Sequence, residues 1–214
     1  MAATAMEVIG ESRVIAILRA ADADRFGAVA AVLADAGVRC IEFTLSSRGA
    51  IAALRAFAGD LPAGVALGAG TVLDAAMAEA AVAAGATYLL SPALSLDVVE
   101  RGRRLGVPVI PGAFTPSEIL QAWRSGASAV KVFPASLGGP AYLRAVRAPL
   151  PDIPLVPTGG ISVDAAPAYL QAGALAVGIG SPLVGDAGDT GDLHALRRRA
   201  ETLVAGVRAL DRAA

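Results

Sequence analysis

Short apolar runs recur along the chain at a regular spacing, and segments with helical periodicity separate them. The starts of consecutive runs lie roughly 21 to 27 residues apart, which leaves room for one strand, one helix and two short loops. The predicted strands are residues 14–18, 38–44, 65–70, 87–91, 108–111, 129–133, 154–158 and 175–180. Helical patterns rich in Ala, Leu, Glu and Arg include residues 24–36, 74–84, 116–125 and 163–171.

The strand patterns are almost continuously apolar, which is typical of a parallel sheet covered by helices on its faces. Several helices end on a glycine, the usual residue at a helix stop: Gly37, Gly85, Gly106, Gly126 and Gly173. Eight strand–helix units in slightly more than 200 residues predict an α/β fold of the (β/α)8 TIM-barrel type. An open doubly wound sheet is the less favoured alternative, because eight regular repeats offer no reversal point.

The repeat is not interrupted by a linker, a low-complexity stretch or a block of charge, so residues 1–214 are predicted to form one domain. A short helix within residues 1–10 is expected to cover the bottom of the barrel. Residues 192–210 are predicted to form the last helix.

Composition narrows the classes of function. The net charge is −1 without a basic stripe, so neither nucleic acid nor an anionic membrane is an expected partner. Cys40 is the only cysteine, which excludes an intramolecular disulfide and a multi-cysteine zinc site. The N-terminus lacks the pattern of a signal peptide, and the apolar runs are shorter than a membrane span. We therefore expect a soluble cytoplasmic protein.

Lys131 is the only lysine, and it lies in the apolar sixth strand. An ammonium group is costly to bury, whereas a neutral amine is a nucleophile that can form a Schiff base with a ketone. Lys131 and Phe133 lie two residues apart, so their side chains are expected on the same face. The alternative is a structural ion pair between Lys131 and Glu42.

Glu42 is the only acidic residue at a predicted strand end, where barrel enzymes build their active sites. A carbinolamine must lose water and an enamine must exchange a proton, and both steps need a nearby acid/base. Thr44 shares the face of Glu42 and is expected to contact the substrate. A solvated glutamate on an edge strand is the alternative.

Anion-binding groups follow three other strands. Arg19 closes the first strand and could bind a carboxylate or a phosphate, or form a salt bridge to a loop. The loops after strands seven and eight match the usual phosphate site of barrels, with Gly159, Gly160, Gly180 and Ser181.

The sequence does not suggest a metal site, a cofactor or a Ser-His triad. His194 is the only histidine and falls in the last helix, where we expect it on the surface. Acidic and histidine residues do not cluster at the strand ends, so neither a metal-dependent aldolase nor any other cofactor-dependent enzyme is predicted.

The motifs at the strand ends resemble those of the 2-keto-3-deoxy-6-phosphogluconate (KDPG) and 2-keto-4-hydroxyglutarate (KHG) aldolase family. The matching blocks are residues 14–19, 41–45, 68–72, 91–92, 111–118, 131–135, 156–161 and 178–181. The resemblance implies a metal-free class I aldolase that forms a homotrimer of (β/α)8 barrels. It implies that Lys131 forms the Schiff base and Glu42 is the general acid/base. The implied substrate contacts are Thr71 for the pyruvate carboxylate, Pro92 and Phe133 for the pocket wall, and Gly159, Gly160 and Ser181 for the phosphate.

The family reaction cleaves KDPG to pyruvate and glyceraldehyde 3-phosphate in the Entner–Doudoroff pathway, and many members cleave KHG to pyruvate and glyoxylate. Some members carry an arginine where this chain has Ser46, and Arg19 would take over that cationic role. A branch acting on the galactonate epimer resembles the chain around Arg19 but has an apolar residue in place of Thr158. Thr158 therefore favours the gluconate substrate. The alternatives are the galactonate epimer, a transaldolase or deoxyribose-phosphate type of Schiff-base enzyme, and a phosphate-binding isomerase or sensor.

Overall fold

A computed structural model describes residues 3–211, and the side chains of residues 3–210. All eight predicted strands are present, but the fifth is divided in two. The strands are β1 Val14–Leu18, β2 Cys40–Thr44, β3 Ala66–Gly70, β4 Tyr88–Leu90, β5 Val109–Ile110, β6 Gly112–Ala113, β7 Val130–Val132, β8 Leu155–Pro157 and β9 Val177–Ile179.

The helices alternate with the strands as the periodicity predicts. They are α1 Ala5–Ser12, α2 Phe26–Asp35, α3 Ala50–Gly59, α4 Ala75–Ala83, α5 Leu96–Leu105, α6 Pro116–Arg124, α7 Gly139–Arg147, α8 Ala166–Gln171, α9 Ser181–Val184, α10 Ala187–Thr190 and α11 Leu193–Asp211, with a 3-10 turn at Ala135–Leu137. The glycines predicted to stop helices all have positive φ, which confirms them as helix stops: Gly37, Gly85, Gly106, Gly126 and Gly173.

The strands form two parallel sheets, one in the order β5-β4-β3-β2-β1-β9 and one in the order β6-β7-β8. Pro111 lies at the division of the fifth strand, because it has no N–H to continue the ladder. Its carbonyl accepts a hydrogen bond from the Lys131 backbone N–H at 2.9 Å. On the other side, the Leu175 N–H donates to the Leu155 carbonyl at 2.9 Å, and Thr158 pairs with Gly178. Backbone hydrogen bonds therefore connect the two sheets at both ends.

Side chains alternate between two faces of the sheets and form two separate apolar clusters. The outer cluster lies between strands and helices and is the larger; in it the Phe43 ring packs against Phe26, with centroids 5.1 Å apart. The inner cluster lies on the opposite face, which we call the inner face. On the strands, or directly before them, it contains Ile15, Ile17, Cys40, Ala66, Tyr88, Leu90, Ile110, Ala129, Val156 and Ala176.

Helix α1 covers one end of the inner face, because Val8 and Ile9 pack into the inner cluster. The helix begins with a capping box, in which the Thr4 side chain accepts from the Glu7 N–H and the Glu7 carboxylate accepts from the Thr4 N–H. The predicted N-terminal helix is thus present and begins at Ala5. The first two residues lie outside the described part of the chain.

The last helix, α11, is close to its predicted bounds, and His194 is exposed on it as expected. Within the arginine run 197–199, the Arg199 guanidinium donates to the carbonyls of Leu183 and Val184. Between residues 3 and 211, none of the helices is long and apolar enough to cross a membrane.

Candidate active site

Lys131 lies on β7 with its side chain on the inner face, and only 5% of the residue is exposed. Its Nζ lies 5.2 Å from the ring centroid of Phe133, within the range of a cation–π contact. Phe133 is 38% exposed, so its ring lies partly at the surface beside the buried amine. The ring occupies space that Gly159 leaves open, since a Cβ there would lie 2.8 Å from the Phe133 ring. A buried amine in contact with an apolar ring is suited to react with a carbonyl group.

Glu42 lies on β2 and is 1% exposed. Its carboxyl group leans over β3, where a Cβ on Gly70 would lie 1.6 Å from Oε1. Oε2 is buried, and no hydrogen-bond partner for it occurs among the described residues. Burial raises the pKa of Glu42 above its ordinary value of 4.5. The positive charges of Lys131 and, to a smaller extent, Arg19 lower this pKa, but burial has the larger effect. Such a carboxyl group can carry a proton closer to neutral pH than an ordinary glutamate.

The two groups belong to different sheets but share the inner face. The charge of Lys131 acts on Glu42, yet the ion pairs within residues 3–211 that are closer than 4.0 Å do not include this pair. The alternative of a tight structural ion pair is therefore not what the geometry shows. The amine and the carboxyl group are therefore not held together in a direct ion pair.

Arg19 is brought to Thr71 by the parallel pairing of β1, β2 and β3. The Arg19 Nη2 donates to the Thr71 Oγ1 at 3.3 Å, and Arg19 is exposed. Thr71 has φ of 59°, a left-handed conformation that is strained for a β-branched residue. Strain of this kind concentrates at ligand-binding sites, and here it turns the Thr71 hydroxyl toward a cation.

The hydroxyl groups of Thr44 and Thr158 both donate hydrogen bonds to backbone carbonyls. Thr44 is fully buried and donates to the Leu18 carbonyl at 2.9 Å, with Ser47 Oγ 3.3 Å away. Thr158 donates to the Val156 carbonyl at 3.3 Å. A substrate contact by Thr44 stays a prediction, and it would have to use a hydroxyl whose proton is already engaged.

The predicted phosphate-binding loops follow two neighbouring strands, β8 and β9. Gly159 and Gly160 have φ of 94° and 72°, and Gly160 leaves room for Ser136, whose N–H donates to the Gly159 carbonyl at 3.0 Å. Gly180 precedes the short helix α9, and Ser181 is exposed at its first turn. The structure therefore places both loops at the same end of the sheets as Lys131.

Two features of the site were not found by sequence reasoning. Gly112 has no room for a side chain, since a Cβ would lie 2.2 Å from the Pro92 carbonyl oxygen, so the loop carrying half-buried Pro92 crosses directly over β6. Tyr88 is fully buried on the inner face beneath Gly68. The Gly-x-Gly spacing of β3, which leaves side-chain space on one face, was the signal that could have revealed the position of Tyr88.

Within the described part of the chain, three or more His, Cys, Asp or Glu side chains do not gather as a metal site would need.

A buried lysine and a buried glutamate at the carboxyl ends of parallel strands are typical of lyases that act through a lysine Schiff base. Comparison with known proteins specifies the class further. The chain belongs to the KDPG and KHG aldolase family, which it matches over residues 6–198.

Three relatives show how far the similarity extends. A probable 2-dehydro-3-deoxy-6-phosphogalactonate aldolase of Rhizobium meliloti is 35% identical over 91% of this chain and 92% of its own. A 2-dehydro-3-deoxy-phosphogluconate aldolase of Pseudoalteromonas atlantica is 32% identical over 95% of each chain. The solved KDPG aldolase of Legionella pneumophila, with pyruvate captured as a covalent carbinolamine, has a TM-score of 0.83 and 27% identity, and covers 92% of this chain and 97% of that one.

Proposed function

We propose that the protein is a class I aldolase that cleaves KDPG to pyruvate and glyceraldehyde 3-phosphate through a Schiff base on Lys131. KHG, which would give pyruvate and glyoxylate, is a second proposed substrate. The observation that carries the proposal is the pair Lys131 and Glu42, both buried on the inner face and separated rather than joined as an ion pair. Family membership supports the same chemistry.

In the proposed reaction, the Lys131 amine attacks the C2 ketone to form a carbinolamine. Glu42, whose raised pKa lets it hold a proton, gives that proton to the departing hydroxyl, and water leaves as the iminium ion forms. The Glu42 carboxylate then accepts the C4 hydroxyl proton, the C3–C4 bond breaks, and C4 leaves as the aldehyde carbon of glyceraldehyde 3-phosphate. The electron pair of the broken bond enters the iminium to form an enamine. Reprotonation at C3 and hydrolysis release pyruvate and the free amine.

Arg19 and Thr71 are proposed to hold the substrate carboxylate, since the guanidinium and the hydroxyl already meet at 3.3 Å. Pro92 and Phe133 would form the apolar wall that keeps water from the imine. Thr44 and Thr158 are proposed as further substrate contacts from β2 and the end of β8. The glycine loops and the α9 start would receive the phosphate: Gly159, Gly160, Gly180 and Ser181.

The choice between C4 epimers rests on few residues. Thr158 supports the gluconate substrate, whereas the sequence around Arg19 resembles the galactonate branch. The similarity to the Rhizobium meliloti protein keeps the galactonate epimer as the second candidate. Turnover of KDPG, its galactonate epimer and KHG under identical conditions tests this choice, and we expect KDPG to have the highest kcat/KM.

We further propose that β1–β9 complete an eight-stranded (β/α)8 barrel, with β5 and β6 as one interrupted strand and the chain as a single domain. The hydrogen bonds at both junctions of the two sheets support this. A homotrimer and a cytoplasmic location are proposed on the family resemblance alone. Analytical ultracentrifugation tests the trimer.

Borohydride reduction in the presence of pyruvate tests the Schiff base. The expected result is a covalent adduct on the peptide containing Lys131, the only lysine of the chain, with the N-terminal amine as the internal control. Lys131→Arg keeps the charge but cannot form an imine, so we expect turnover to fall by about a thousand-fold or more with an unchanged circular dichroism spectrum. The absence of an adduct, or activity in the arginine variant, would instead favour a phosphate-binding isomerase or sensor.

A further inference from the structure

Two buried polar atoms on the inner face have no hydrogen-bond partner among residues 3–210: the Glu42 Oε2 and the Tyr88 hydroxyl. Buried polar groups are nearly always paired, so two unpaired groups on one face need an explanation. Tyr88 takes no part in the reaction proposed above. It is 0% exposed, on β4, and is one of the largest side chains of the inner cluster.

Strand β3 brings the two side chains together. Gly68 pairs with Glu42 on one side and with Tyr88 on the other, so β3 separates the two residues by a single strand. A Cβ on Gly68 would lie 2.4 Å from the Tyr88 Cζ, and a Cβ on Gly70 would lie 2.3 Å from the Glu42 Cδ. Both side chains therefore lean over β3 and occupy the space left by its two glycines.

The separation along β3 suits one intervening molecule. Gly68 and Gly70 point to the same face and lie about 7 Å apart along a strand. The Tyr88 hydroxyl extends beyond Cζ and makes no direct hydrogen bond to the carboxyl group, so an intervening molecule is needed to join the two groups. A water in an enclosed polar space of this kind bonds to the groups that the protein leaves unpaired.

We infer that Tyr88 is a positioning residue for Glu42, its hydroxyl holding one oxygen of the Glu42 carboxyl through a single buried water so that the other oxygen faces the substrate. The inference rests on the proposed function in one respect, namely that Glu42 carries protons for the substrate. The water contact itself is a structural claim that stands apart from the reaction.

The groups that face Glu42 define the expected electrostatic effect. Lys131 approaches from β7, Arg19 from the end of β1, Tyr88 from β4, and Cys40 lies two residues earlier on β2. Burial raises the pKa of Tyr88 well above 10 and that of the Cys40 thiol to about 12, so both stay neutral in ordinary assays. Tyr88 is thus a neutral donor, and its hydrogen bond through water favours the ionised carboxyl group.

Tyr88→Phe removes only the hydroxyl and keeps the ring beneath Gly68. We expect kcat and the rate of proton exchange into pyruvate to fall about tenfold with KM unchanged, because Tyr88 does not contact the substrate. The limb of the pH–rate profile assigned to Glu42 should move upward by about one pH unit, the size of a lost hydrogen bond to a charged group. Borohydride trapping on Lys131 should persist.

Tyr142→Phe is the matched control. The Tyr142 hydroxyl donates to the Phe114 carbonyl, and its ring stacks on Phe114 with centroids 5.1 Å apart, so the same atom is lost without any contact to Glu42. The control should leave the pH profile unchanged. A wild-type profile in Tyr88→Phe, or an equal shift in Tyr142→Phe, would overturn the inference.

A crystal structure of the wild-type protein tests the contact independently of catalysis. We expect density for one water within 2.6–3.2 Å, about the usual hydrogen-bond range, of both the Tyr88 hydroxyl and the Glu42 carboxyl, and its loss in Tyr88→Phe. Density without that water would overturn the inference even in an active aldolase. Conversely, a bridging water in a protein that forms no adduct with pyruvate would refute the proposed function and leave the contact standing.

Discussion

The two ends of the inner face differ although the same strands build both. At the end covered by α1, the strands contribute apolar side chains, which we call the floor: Ile15, Cys40, Ala66, Ala129, Val156 and Ala176. Two residues further along three of these strands, the side chains become polar, and we call them the reactive layer: Glu42, Lys131 and Thr158. A strand repeats its face every second residue, so each polar group lies directly above an apolar one.

Because of this difference, we expect the floor to contribute mainly to stability and the reactive layer to contribute mainly to activity. The floor is filled by residues without charge, so it supplies burial and keeps water from the reactive layer. The reactive layer carries a lysine and a glutamate whose burial costs free energy, and burial is also what raises the pKa of Glu42. Substitutions in the reactive layer should therefore change activity most, and those in the floor should change mainly stability.

Gly70→Ala should show the largest effect in the reactive layer after the loss of Lys131. Its Cβ would lie 1.6 Å from the Glu42 Oε1, so the carboxyl group must move. We expect kcat to fall about 100-fold, because a displacement near 1 Å has this cost for an acid/base. Gly59→Ala on α3 is the control, since no atom lies within 4 Å of a Cβ there. Steady-state kinetics measure both, and equal rates would contradict the assigned position of Glu42.

Ile15→Val should affect only the floor. Ile15 is fully buried, and removing one methylene should lower the free energy of unfolding by about 1 kcal/mol. Urea denaturation measures this change. The kcat of the folded variant should remain within about twofold of wild type, and a larger drop would show that the floor takes part in positioning the reactive layer.

Glu42→Gln should change how stability depends on pH, which is the smallest of the effects. Because the folded pKa of Glu42 lies above its ordinary 4.5, the folded state holds a proton that the unfolded state releases, and stability falls as pH rises through that window. Glutamine removes this dependence. The variant should be more stable than wild type near neutral pH, and the advantage should shrink as pH falls toward 4.5. A difference independent of pH, measured by urea titrations, would argue against the raised pKa.

Local patterns were enough to predict most of the secondary structure. The run at Val14–Leu18 was predicted with its observed bounds, and the glycine stops follow from the ease with which glycine adopts positive φ. Lys131 and Glu42 were recognisable because charged residues are rare in buried strands. The division of the fifth strand at Pro111 was not predicted, although a missing N–H in a ladder was its available signal.

The contacts between strands could not be predicted to the same degree. The substrate contact of Thr44 stays a prediction, but the hydrogen bond from its hydroxyl to the Leu18 carbonyl was not foreseen, because only the register of β1 with β2 brings that carbonyl within reach. Tyr88 reads in sequence as an ordinary apolar strand residue. Its hydroxyl becomes significant only because two glycines on β3 let it lean toward Glu42.

The sequence by itself determined the strands, the helices, their order and the two residues most suited to Schiff-base chemistry, because each depends on periodicity or on the cost of burying charge. Only the tertiary structure decided which side chains share an enclosed space: the separation of Lys131 from Glu42, the meeting of Arg19 with Thr71, and the space over β3 that Glu42 and Tyr88 fill. Those relations depend on the register of strands that are far apart in the chain, and no local pattern encodes that register.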